Sequence, residues 1–142
     1  MLLWKNGRIF TGNISFIFPE NFSVLYMEDN AISPSMTLRS GDGLYLLYIN
    51  FVNDVKNTQL EVKEWIGSFP SCLTEYEGDF TINGFHGYEA AVTAIRQNYT
   101  KAFLALDECG TAIELLISAE KGSSALSAPE IFRLLDVRLS NE

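Results

Sequence analysis

The sequence holds one histidine, two cysteines and four prolines in 142 residues, and each scarcity removes a class of chemistry. A lone imidazole, His86, cannot build a histidine cluster, and Cys72 and Cys109 form no C-x-x-C pair, so neither a metal site nor a dithiol redox motif is expected. No apolar run approaches the roughly 20 residues of a membrane-spanning helix, and residues 1–10 lack an uninterrupted secretion-signal core. The expectation is a cytoplasmic chain with free thiols and no membrane span. Basic residues are also scarce: ten lysines and arginines face eighteen acids, and the net charge of −8 repels nucleic-acid phosphates. The motifs G-x-S-x-G, H-E-x-x-H, G-x-G-x-x-G and the P-loop are missing, which leaves hydrolase, zincin and nucleotide readings without their usual signatures. Neither a cofactor nor a metal is expected.

Aromatic and aliphatic residues are plentiful by contrast. Hydrophobic residues make up 47% of the chain and aromatic residues 13%, enough for a packed core at this length. No repeat, low-complexity tract or linker divides the sequence, so residues 1–142 read as one domain. Strands are expected at 14–18, stopped by Pro19, and at 22–26, then at 36–39 and 44–52, joined through Ser40-Gly41-Asp42-Gly43. Thr58-Gln59-Leu60-Glu61 has capping-box spacing, and Val62, Trp65, Ile66 and Phe69 follow at i, i+3, i+4 and i+7. That stripe predicts an amphipathic helix with Trp65 buried against a sheet, ending near Gly67 to Pro70.

Period-two alternation then runs through 76–82, 88–95, 99–106 and 111–118, with turns at Asn83-Gly84, 96–98 and 107–110. A second capping box, Ser127-Ala128-Pro129-Glu130, opens a helix carrying Ile131, Leu134 and Leu135, and residues 137–139 return as an edge strand. The order of strands, helix, meander and helix predicts an α+β fold on an antiparallel sheet.

Sorting the late strands by face groups Glu89, Lys101 and Glu114 on one side with Thr93, Tyr99, Phe103 and Leu116, joined by Tyr48 and Asn50 of the earlier strand. A surface of aromatic anchors and charges suits protein recognition, with Phe103 and Lys101 as its most informative positions. The rival from another class is a small-molecule enzyme or hydrolase pairing His86 with Glu89 or Glu114. A structural subunit of a larger assembly is the third reading.

Two short motifs, Phe16-Ile17-Phe18-Pro19-Glu20-Asn21-Phe22 and Ile82-Asn83-Gly84-Phe85-His86-Gly87-Tyr88-Glu89-Ala90, stand in an order of elements that resembles the PsbP-like superfamily over most of the chain. That family spans the extrinsic photosystem II protein, a Ran-binding import factor, DcrB-type envelope proteins and Eag-type adaptors. The resemblance implies an α-β-α sandwich in which helices flank an antiparallel sheet. It also implies a non-catalytic role in binding another protein, with no catalytic residue to carry over.

Overall fold

A computed structural model describes residues 2–12, 14–30, 32–94, 97–120, 123 and 126–139. In chain order the elements are β1 (Leu3–Lys5), β2 (Arg8–Thr11), β3 (Ile14–Phe16), β4 (Phe22–Glu28), β5 (Ser35–Ser40), β6 (Tyr45–Val52) and α1 (Thr58–Gly67). They continue with β7 (Leu73–Ile82), β8 (Phe85–Ala94), β9 (Gln97–Ala105), β10 (Ala112–Glu120), α2 (Ala128–Leu135) and β11 (Arg138–Leu139). The fold is α+β, and every strand pairing among the described residues is antiparallel.

Seven strands form the main sheet in the order β4-β5-β6-β10-β9-β8-β7. The remaining four make a second, smaller sheet, β1-β2-β3-β11, where the sequence predicted only one. Its first hairpin turns through Asn6 and Gly7, both at positive φ, as a two-residue turn between twisted strands requires. The strand expected at 14–18 therefore ends at Phe16, and residues 137–139 supply a two-residue strand to the small sheet. The turn expected at 96–98 lies partly outside the described residues.

The two helices lie on opposite faces of the main sheet. On the inner face, α2 and the small sheet enclose the larger core, which joins Ile9, Phe16, Leu38, Leu47, Leu104, Leu115 and Phe132. On the outer face α1 packs over β8 and β9, burying Val62 with Tyr88, Ala90 and Phe103. The α1 cap is Asn57, one residue before the expected Thr58, and its side chain accepts from the Leu60 amide at 3.1 Å. Ser127 caps α2 as expected, accepting from the Glu130 amide.

The hairpin motif around residue 84 has a packing reason. Asn83 and Gly84 take the positive φ values of the β7–β8 turn, and Asn83 Nδ2 donates to the Val137 carbonyl at 2.7 Å, tying the turn to the end of α2. Gly87 then leaves room for Phe80, which lies opposite it and stacks on Phe132 at 5.8 Å between ring centroids. A Cβ at Gly87 would sit 2.5 Å from Phe80 Cζ and 2.7 Å from the Phe103 carbonyl oxygen. The first contact can yield by moving a ring; the second is backbone. Gly87→Ala should therefore destabilise the fold by about 1–3 kcal/mol in chemical denaturation, and an unchanged midpoint would mean the strands separate more easily than this packing requires.

Candidate functional site

Cross-strand register decides which side chains share a face, and it divides the residues singled out by alternation. Glu114 lies opposite both Phe103 and Asn50, and Leu116 lies opposite both Lys101 and Tyr48. Tyr99 is level with Ser118 in the same row. Seven of the nine predicted residues thus gather on the outer face: Tyr48, Asn50, Tyr99, Lys101, Phe103, Glu114 and Leu116. Glu89 and Thr93 do not join them. Glu89 pairs with Ala102 and Thr93 with Asn98, a one-residue offset from the expected alignment with Lys101, and such an offset sends a whole strand's set of side chains to the opposite face.

The outer face is also not wholly open, because α1 covers part of it. Phe103 is 5% exposed beneath Val62 and Ile66, so it is a core residue and not a surface anchor. The Lys101 side chain is 12% exposed and forms an ion pair with Glu114, whose other oxygen accepts from Asn50 Nδ2 at 3.1 Å. Its ammonium lies 5.6 Å from the Phe103 ring centroid and 6.0 Å from that of Trp65, within cation–π range.

Trp65 is only half-buried, contrary to the stripe reading, and Val62 is the buried residue of α1. Trp65 stands at the margin of the helix, edge-on to Phe69 at 5.0 Å, and Phe69 in turn lies 6.0 Å from Tyr99. These three rings wall one side of a strip whose floor is β5, β6 and β10. Leu46, Tyr48, Leu116 and Ser118 are all half-exposed along it, and Thr37 continues it onto β5. The Asn50–Glu114–Lys101 chain crosses the floor as a polar seam with its charges matched internally.

No catalytic pairing of His86 is assembled. The histidine is exposed at the start of β8, with Nδ1 3.4 Å from Thr81 Oγ1. Glu89 faces the other side of the sheet, and Glu114 is two strands away, roughly 10 Å at ordinary strand spacing. Among the described residues no group of three or more metal-ligating side chains comes together, and no helix is long and apolar enough to cross a membrane.

Glu89 has a different role. Buried at 7% exposure, it accepts from Tyr76 Oη and from the Ala128 amide, each at 3.0 Å, and so joins β7 and β8 to the first turn of α2. That amide is one of the donors a helix N-terminus leaves without an intrahelical partner. Burial pushes the Glu89 carboxyl above its ordinary value, the two hydrogen bonds opposing but not cancelling the effect.

Alternation did not reveal an open cleft of about 820 Å³ on the inner side, where the Pro19 turn, the β5–β6 connection and α2 meet. Its apolar lining was visible only as separate strand and helix residues, far apart in sequence.

No family model matches this chain, and no curated protein matches it in sequence. Among solved structures it is similar to the Ran-binding protein Mog1p of Saccharomyces cerevisiae, at 13% identity and a TM-score of 0.51 over 77% of this chain and 72% of Mog1p. A point mutant of Mog1 gives 14% identity and a TM-score of 0.51 over 77% and 73% of the two chains. A Bacteroides thetaiotaomicron protein gives 15% identity and the same TM-score of 0.51, over 92% of this chain but 46% of that longer one. At these identities the likeness concerns the fold alone, an α+β arrangement like that of Mog1p.

Two outcomes test this geometry. Phe103→Ala should cost about 3–5 kcal/mol of stability, as expected of a buried ring; a variant with wild-type stability would put Phe103 back on the surface. For Glu89, a carboxyl raised on folding opposes the folded state when ionised, so that penalty disappears as pH falls through the raised value and is gone below the ordinary value of 4.5. Wild type should gain stability relative to Glu89→Gln on acidification from pH 7 toward about 4, measured by paired urea titrations. A difference that stays constant with pH would show that the carboxyl is not raised.

Proposed function

We propose that this chain is a non-catalytic protein-binding or adaptor domain that receives a segment of its partner along the half-open outer strip between α1 and β5. The observation that carries this reading is the combination of half-exposed Leu46, Tyr48 and Leu116 with the Trp65–Phe69–Tyr99 wall. Aromatic and aliphatic anchors around a charge pair already matched within the molecule give a partner apolar area to bury, and the exposed Arg39 opposite Leu46 adds a cation on the β5 side. The similar solved structures include a Ran-binding protein, which makes binding another protein the class of role to test first. A cytoplasmic setting belongs to the same reading, in keeping with the free thiols of Cys72 and Cys109.

The best probes are Tyr48 and Leu116, because both are half-exposed on the uncovered floor while Phe103 belongs to the core. Once a partner has been captured and purified with the wild-type chain, Tyr48→Ala and Leu116→Ser should each weaken its affinity by at least about tenfold, or roughly 1.4 kcal/mol. Thermal stability should change little by comparison. Unaltered affinity in both variants would remove the strip as the binding surface.

A further inference from the structure

The inner cleft shares no face with the outer strip, so it poses a separate question. Its walls are Ile17, Phe18 and Phe22 from the Pro19 turn, Tyr45 at the start of β6, and Ile131 and Leu134 of α2. At about 820 Å³ it falls within the range of roughly 300–1,000 Å³ usual for ligand sites. Local hydrogen bonds hold two of the walls in position: the Gly41 amide donates to the Asn21 carbonyl at 2.6 Å, and Asp42 Oδ1 accepts from Ser40 Oγ at 2.6 Å and from the Leu44 amide at 3.0 Å. The Ile17 amide donates to the Leu135 carbonyl at 2.7 Å, fixing the Pro19 turn against the end of α2. Leu134 is 51% exposed although it stands beside the buried Ile131 and Leu135, so α2 leaves a large aliphatic side chain in this opening.

Among the described residues the charge of the lining is all of one sign: Glu20, Asp42 and Glu130 contribute carboxylates, and none of the described lining residues is a lysine, arginine or histidine. Glu20 and Glu130 are exposed and make no ion pair among the described residues. An apolar hollow rimmed by unmatched carboxylates disfavours fatty acids, nucleotides and other anions, and favours an apolar group that brings positive charge.

We infer that this cleft is a second binding site, taking a short peptide segment of a partner in which an aromatic or aliphatic anchor is flanked by lysine or arginine. The anchor fills the space between Phe18, Phe22 and Leu134, and the flanking cations meet Glu20 and Glu130 at the rim. The chain's net charge of −8 adds a long-range attraction that steers such a segment toward the surface.

The test uses two synthetic peptides with the same Leu-Phe-Leu core, one flanked by two lysines on each side and the other by two glutamates, titrated into the full 15N-labelled chain at low salt. The lysine-flanked peptide should bind at least about tenfold more tightly, shift the amide resonances of Gly41, Ile131 and Leu134, and weaken as salt is raised. Combined Glu20→Lys and Glu130→Lys should remove that preference; because the second change also takes an acid out of the first turn of α2, the melting temperature should fall slightly, and binding is read well below the unfolding transition. Leu134→Ser should weaken the lysine-flanked peptide while keeping the charge preference. The inference is overturned if neither peptide binds at millimolar concentration, if both bind equally, or if the preference survives the double charge reversal. Shifts confined to Tyr48, Leu116 and their neighbours would also overturn it, while supporting the outer strip instead.

Discussion

One α-helix with its side chains is about 10–12 Å across, and strands lie about 4.8 Å apart, so a single helix shields little more than two strands. The main sheet has seven. On its inner face the shortfall is met by pairing α2 with a second sheet, whose Ile9, Ile14 and Phe16 are buried in the common core. On its outer face α1 stands alone over β8 and β9. The strands beyond it must carry side chains that tolerate water, yet β6 and β10 lie in the middle of the sheet, where alternation fills the inner row with Leu47, Ile49, Leu115 and Ile117. Their outer row is the compromise: Tyr48, Asn50, Glu114, Leu116 and Ser118, partly apolar and only half-exposed.

The Lys101–Glu114 pair marks the edge of that compromise. Lys101 sits where α1 ends its cover, with a side chain 12% exposed against 21% for Glu114. Removing two charges this far from water costs solvation that their attraction alone recovers only in part. The remaining groups are satisfied locally, by Asn50 for the carboxylate and by the faces of Trp65 and Phe103 for the ammonium. The seam therefore separates the dry cluster under α1 from the open strip without leaving an unpaired buried group; among the described residues no buried side-chain nitrogen or oxygen lacks a partner.

Much of this fold was legible because its signals are local. Asn83-Gly84, Ser127-Ala128-Pro129-Glu130 and the alternation through residues 99–118 each depend on a few neighbouring side chains, and each forms the element its pattern predicts. The first hairpin carried a signal of the same strength in Asn6-Gly7, but its strands of three and four residues are too short for alternation to stand out. Glu89 and Thr93 were misassigned for a different reason. Alternation within a strand says which residues share a side, but only the register against the next strand says which side that is. The burial of Phe103 was hidden in the same way, because nothing in its own strand records where α1 will dock.

The two outer strands of the main sheet explain why recognition is better sought on its faces than along its rims. An edge strand offers unpaired backbone donors and acceptors that another chain could extend. Here β4 pairs with β5 through a bulge at Leu25, between Val24 and Tyr26, and β7 pairs with β8 through a bulge at Glu75, between Thr74 and Tyr76. A bulge twists its strand and interrupts the regular ladder a neighbour would need. Glu75 and Asp79 further load β7 with like charge, Glu77 between them being paired with Lys63 at 3.0 Å, so a second copy of the same edge would meet repulsion as well as poor geometry. With both rims disrupted, regular extended surface remains in the half-covered floor beside α1, and the inner cleft supplies a concavity closed by α2. Each has its own electrostatic character, the first with the matched Lys101–Glu114 pair on its floor and the exposed Arg39 on β5, the second with Glu20 and Glu130 in no ion pair among the described residues.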